Sequence, residues 1–128
     1  MKPEPGLVVT HRRYVPYSHA HYAGNLVDGA YSLQLFGDVA TEMCIRTDGD
    51  EGLFASYDEV QFLGAVRAGD VLEVTGELVS VGNRSRKIRF TVTVVGRGDP
   101  DRGPSAARML ADPIVATTAT GTVVVPGH

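Results

Sequence analysis

The chain has 128 residues, 43% of them hydrophobic and 21% charged, and a formal net charge of −3. That is material for one domain, residues 1–128, with an ordinary core. The acidic balance argues against a general nucleic-acid surface, and a single cysteine, Cys44, excludes an internal disulfide.

The start Met1-Lys-Pro-Glu-Pro5 lacks the apolar run of a signal peptide, and no stretch is apolar enough to span a bilayer, so a cytoplasmic location is expected. Leu7 to Val15 reads as a first strand, followed by a polar, Gly-containing loop, His19–Gly29. One long helix is predicted from about Val27 to Arg46. Leu35, Phe36, Val39, Ala40, Met43 and Cys44 recur at helical spacing and form its apolar stripe. On that stripe Cys44 reads as a small buried hydrophobe rather than a nucleophile. Gln34, Asp38 and Glu42, each four residues from the next, form a polar column at the border of the stripe. Such a column is also what a plain solvated helix face shows.

Thr47-Asp-Gly-Asp-Glu-Gly52 ends the helix with turn residues. Strands are predicted at Leu53–Phe62, Val71–Val81 and Lys87–Val95. In the last of these Ile88, Phe90, Val92 and Val94 point inward and Arg89, Thr91 and Thr93 outward. Ala68-Gly-Asp70 and Gly82-Asn83 are turns. A Gly/Pro/Asp/Arg-rich insertion, Gly96–Pro104, leads to a short helical piece around Ser105–Leu110 and a final strand, Ile114–Val125. One strand, one long helix and a run of antiparallel strands make an α+β layout whose sheet wraps a single helix. One helix leaves part of the sheet uncovered, which favours dimerisation through sheet edges or helices.

Two clusters outside this pattern carry chemistry. His19-x-His21 supplies two imidazoles, but the four histidines have no zinc-type spacing to a third ligand, and no metal site is expected. Arg84-Ser-Arg-Lys87, with Arg89 beyond, reads either as a solvated turn or as a phosphate-binding run.

The order of elements resembles the hotdog fold, a curved antiparallel sheet wrapped around a central helix, with active sites carried by dimers. Asp58-x-Val60-x-Phe62 through Arg67-Ala-Gly-Asp70, then Gly82-x-x-Ser85, resembles a strand-turn-strand run of acyl-CoA hotdog enzymes, with Ala65 where a proline is usual. Gly24-Asn-Leu26 with Gly29 and Asp38 resembles the loop and helix of acyl-CoA hydrolases, whose Asn and helix carboxylate belong to the active centre. A narrower resemblance spans nearly the whole chain: His21-Tyr-x-Gly-Asn-Leu-Val-Asp-Gly-Ala30, Leu35-Phe-Gly-Asp-Val-Ala-Thr-Glu42, Asp48-Gly-Asp-Glu-Gly-Leu53, Val81-Gly-Asn-x-Ser-Arg-Lys87 and Ser105-Ala-Ala-x-x-Leu110. These five matches in order are similar to the β-aminoacyl-CoA ammonia-lyases, the 3-aminobutyryl-CoA and β-alanyl-CoA deaminases. The Pro-rich start, Ala65 and the insertion at 96–104 depart from that pattern.

The resemblance implies reversible elimination of ammonia from a 3-aminoacyl-CoA to give a 2-enoyl-CoA, with no cofactor because coenzyme A is part of the substrate. Deprotonation beside a thioester places charge on the carbonyl oxygen, and a helix start stabilises such an oxyanion with free N–H groups. Gly29 or Ala30 is placed to present that N–H, the glycine leaving room for the thioester. Asp38 and Glu42 are the acid/base candidates. Two neighbouring carboxylates repel, so one is expected to hold a proton near neutral pH. Asp38 is taken as the nearer group, with Glu42 binding the amine. Asn25 either hydrogen-bonds the thioester oxygen or caps the helix; His21 either shuttles a proton or is structural. Tyr22 and Tyr31 supply hydroxyls or simply pack. Arg84, Ser85, Arg86 and Lys87 are the candidates for the coenzyme phosphates, Arg89 a weaker one.

A homodimer is expected, with hexamers within reach of the fold, and neither nucleic acid nor membrane as partner. Two other functions fit the same layout: an acyl-CoA thioesterase, and a non-catalytic acyl-CoA-binding module. A hydratase fits less well, because the chain has no Asp-x-Asn-Pro-x-His run.

Overall fold

The apolar stripe of the long helix finds its counterpart in the inward faces of a five-stranded antiparallel sheet in the computed structural model, which describes residues 2–127. The elements are β1 (Val8–Tyr14), α1 (Gly29–Asp48), β2 (Leu53–Phe62), β3 (Val71–Val81), β4 (Ser85–Gly98) and β5 (Ala107–Val124). Strand order is β1-β3-β4-β5-β2, so the two strands that flank α1 in sequence lie at opposite edges and the helix spans the sheet between them. This is the α+β hotdog layout expected from the order of elements.

The core forms where the two periodicities meet. Leu35, Phe36, Val39, Ala40, Met43 and Cys44 of α1 are buried against Leu72, Val74 and Leu78 of β3 and Ile88, Phe90, Val92 and Val94 of β4. Phe36 stacks on Phe90 at a centroid distance of 4.9 Å, and Phe54 continues the stack from β2. The helix comes closest over Gly76, where an added Cβ would lie 2.8 Å from Val39 Cγ1 and 3.1 Å from Ile88 Cγ2. Gly49, left-handed at φ 66°, closes the helix by donating its N–H to the Ile45 carbonyl.

β2 and β3 begin and end at the expected residues, and α1 is shifted by one half-turn towards the C-terminus. The segment Ser105–Leu110 departs from expectation. Instead of a short helix, Ala107, Arg108 and Met109 open β5 and pair with Gly98, Arg97 and Gly96 of an extended β4. A ladder partner lying directly across a turn outweighs the helix propensity of the Ala, Arg, Met and Leu residues of this segment.

Candidate active site

Between β1 and α1 the chain makes two single 3-10 turns, Tyr17–His19 and Ala23–Asn25. Backbone bonds pin this loop: His21 and Tyr22 N–H donate to the Leu26 carbonyl at 2.8 and 2.9 Å, Val27 N–H to Val66, and Ala68 N–H to Asn25. Gly24 and Asn25 are both left-handed, at φ 75° and 60°, a conformation that asparagine tolerates. Asn25 therefore displays its amide on the surface while its carbonyl holds the 66–68 segment. It does not cap α1, because the N-cap position belongs to Asp28, whose side chain makes no capping bond.

The helix start opens onto a groove of about 220 Å³ between Val27–Gly29 and the Phe62–Val66 segment. At its wall Ser32 Oγ and Thr117 Oγ1 share a buried hydrogen bond of 2.9 Å. The expected vacancy at Gly29 is filled: a Cβ there would sit 2.6 Å from Phe62 Cε1, so the glycine makes room for that ring.

The carboxylate column lies elsewhere. Nine residues separate Gly29 from Asp38, which is two and a half turns and ~13.5 Å along the axis, on the opposite side of the helix. One chain does not bring the helix-start donors and Asp38 to the same ligand. The column instead faces β1, whose residues Val9, His11 and Arg13 alternate towards the helix, with Val15 just beyond the strand's end. Arg13 Nη2 donates to Asp38 Oδ2 at 3.1 Å, and His11 Nε2 to Glu42 Oε1 at 2.8 Å. Arg46 Nη2 completes a bridge to Glu42 Oε2 at 2.7 Å.

The two carboxylates are thus met by two guanidinium groups and an imidazole. The hydrogen bond from His11, and behind it that from Arg46, holds the Glu42 carboxyl below its ordinary range, so Glu42 is ionised near neutral pH. Glu42 is therefore not the carboxyl that holds the proton expected of the pair. The signal that pointed to them was the two-residue alternation of His11 and Arg13 between the apolar Val9 and Val15.

His21 is exposed and stacks edge-on against Tyr22 at 4.7 Å. His19 Nδ1 and the Tyr31 hydroxyl lie 2.9 Å apart in a hydrogen bond, and burial raises the Tyr31 phenol against the opposing pull of Arg13. In the basic run, Arg86 is turned inward rather than displayed on the surface. It is 3% exposed, holds Asp48 through Nε and Nη2 at 2.9 and 2.7 Å, and spends Nη1 on the carbonyls of Gly82 and Ser85. Arg84 and Lys87 remain on the surface, with Arg84 Nε donating to Val125, and Arg89 pairs with Glu77.

A second groove, about 360 Å³, runs along the flank of α1 that faces β2. Small residues make it: Gly37, Ala40, Thr41 and Gly52, with Leu53 and the carboxylate-bearing Glu51 at its rim. It lies beside β2, which pairs only with β5 and leaves its outer edge free. Sequence reasoning treated Glu51 as a turn residue. Among the described residues, no group of three or more His, Cys, Asp or Glu side chains is placed to hold a metal ion, and no helix is long and apolar enough to cross a membrane.

The Thioesterase superfamily model matches residues 24–100. A 3-aminobutyryl-CoA ammonia lyase of Acetoanaerobium sticklandii is 54% identical over 107 residues, covering 84% of this chain and 85% of that protein. The chain belongs to the hotdog ammonia-lyase family. The solved β-alanyl-CoA:ammonia lyase of Clostridium propionicum superposes with a TM-score of 0.89 at 34% identity, over 95% of this chain and 87% of that one. A hexameric hotdog fold thioesterase of Campylobacter jejuni shares the fold at a TM-score of 0.75 and 24% identity, over 97% and 84% of the two chains. The superfamily match of this ammonia-lyase family member begins at Gly24, so it takes in Asn25, the helix start, both column carboxylates and Glu51 but leaves β1, with His11 and Arg13, outside.

Proposed function

We propose that this protein catalyses the reversible elimination of ammonia from a 3-aminoacyl-CoA, giving a 2-enoyl-CoA. The observation that carries the reading is the 54% identity to a 3-aminobutyryl-CoA ammonia lyase across 84% of the chain. In the elimination a carboxylate takes the α-proton, the electron pair moves onto the thioester oxygen, and its return forms the C–C double bond as the β-carbon releases ammonia. Helix-start N–H groups suit the oxyanion, and an anionic side chain suits the substrate's ammonium. Both arise from the protein alone, with no cofactor.

The site is completed by a second copy. Within one chain the helix start and Asp38 stand ~13.5 Å apart on opposite faces, and the groove carrying Glu51 is open beside the free edge of β2. Two carboxylates compete for the proton. Asp38 is engaged in an ion pair with Arg13, so its carboxylate is already occupied by a protein partner. Glu51 makes no ion pair among the described residues and lies against small residues that leave space for a ligand. Glu51 is therefore assigned the α-proton, with Asp38 and Glu42 setting the charge that receives the amine. His21, displayed on the loop ahead of the helix, is assigned to the thioester end.

Incubation with crotonyl-CoA and ammonium tests the reaction: amine adduct without thiol release supports it, and thiol release without adduct identifies a thioesterase. Glu51→Gln is expected to lower turnover ~100-fold or more, the scale of losing a general base. Asp38→Asn is expected to act mainly through amine affinity. A Glu51→Gln enzyme with full turnover would return the base to Asp38.

A further inference from the structure

We infer that the cleft between Arg67 and Arg97 is a phosphate-binding site for the nucleotide end of a coenzyme A thioester, an inference that rests on the function proposed above. The cleft encloses about 360 Å³ and is walled by Tyr17, Gly24, Asn25, Arg67, Arg97 and Pro104, with no carboxylate in its lining. That volume takes one end of a large ligand rather than the whole of it.

The two arginines are prepared differently. Arg97 is clamped: its Nε and Nη2 both donate to the fully buried Asp70 at 2.9 Å, and Nη2 also reaches the Ala65 carbonyl, which leaves Nη1 without a partner among the described residues while the side chain lines the cleft. Asp70 is in turn fixed by accepting the Arg67 N–H at 2.8 Å. Arg67 is exposed, and its guanidinium makes no hydrogen bond or ion pair among the described residues. Its backbone is nonetheless rigid, tied by the bridge to Leu26 and by the Ala68–Asn25 bond. One oriented N–H pair and one free fork on a fixed backbone suit the tetrahedral oxygens of phosphate.

Charge makes the same point. A polyanion approaching a chain of net charge −3 requires a local excess of positive charge. Asp70 neutralises Arg97, and Arg67 supplies the excess. The 84–87 turn is the rival, but Arg86 is consumed there by Asp48, Arg84 Nε is spent on the Val125 carbonyl, and the grooves beside Arg84 are lined by the carboxylates Asp48, Asp50 and Glu51. Arg67 and Ala68 line the cleft and Ala65 and Val66 the groove at the helix start, so the two lie on consecutive residues of one strip of chain.

Calorimetric titration with adenosine 3′,5′-bisphosphate, ADP and inorganic pyrophosphate tests the site without reference to turnover. Arg67→Gln, which leaves the Arg97–Asp70 clamp intact, is expected to weaken binding of the bisphosphate about tenfold or more. Arg84→Gln with Lys87→Gln is expected to leave it within twofold. Preference for the bisphosphate over ADP places the ribose 3′-phosphate in the cleft, whereas equal binding of ADP and pyrophosphate places the diphosphate there. Bisphosphate affinity unchanged in Arg67→Gln but lost in the 84/87 variant overturns the inference. If Arg67→Gln loses the bisphosphate while the parent protein forms no adduct from crotonyl-CoA, the site stands and the lyase reading fails.

Discussion

Arg86 and Asp48 show how burial reassigns a side chain. The sequence places Arg86 in a run of surface cations, yet the fold turns it inward to a carboxylate 14% exposed, itself at 4%. Removing the guanidinium leaves an uncompensated charge, and Arg86→Ala is expected to cost about 3–5 kcal/mol in chemical denaturation, with a smaller total loss when Asp48→Asn is added. The hydrogen bond from Arg86 is also the main cause that holds the Asp48 carboxyl below its ordinary 3.8. Because the charged form is favoured in the folded chain, this stabilisation is complete above that value and lost as the pH falls through the lowered one. The denaturation midpoint should drop on acidification below about pH 4, and less so in Asp48→Asn. Cys44 follows the same rule in the opposite direction: burial pushes its thiol up to about 11, so alkylation should be negligible in the native protein and complete after unfolding. The hydrophobic character of Cys44 was legible from its place on the apolar stripe. The pairing of Arg86 was not: Arg86 continues the inward alternation of Ile88 and Phe90, but its partner Asp48 lies on another element.

The helix and its edge strand illustrate what periodicity can and cannot fix. Successive carboxylates four residues apart on α1 rise ~6 Å, and alternate residues on a strand rise ~6.6 Å. Asp38 and Glu42 therefore meet Arg13 and His11 in matched register, the helix running against β1. The column was visible in the sequence; that it would face cations on β1 was a property of packing two elements. Core alternation was equally visible in β4, where Ile88, Phe90, Val92 and Val94 are all fully buried. Close approach was hidden in a single residue. Gly76→Ala would press a methyl against Val39 and Ile88, both buried, and is expected to cost about 1–3 kcal/mol by denaturation. The failed helix at Ser105–Leu110 has the same origin as these successes: local preference decides only when no partner strand competes for the backbone.

At the scale of the molecule, β2 is a ten-residue edge strand whose outer side is unpaired, with Leu53 at 77% and Phe62 at 59% exposure. Such an edge invites a second strand, and sedimentation at micromolar concentration is expected to give a dimer or larger assembly; a stable monomer would remove the shared site proposed above. The amino-acid order by itself determined the α+β layout of one long helix on an antiparallel sheet, the identity of the core and the carboxylates on α1, because hydrophobic periodicity and turn residues are local and survive into the fold; the hotdog family came from the resemblance of its motifs. Tertiary structure alone decided which charges are spent on one another, that Phe62 fills the space at Gly29, and that Arg67 and Arg97, thirty residues apart in the chain, share one cleft. Those outcomes depend on distances between elements, which only the closed sheet and its helix set.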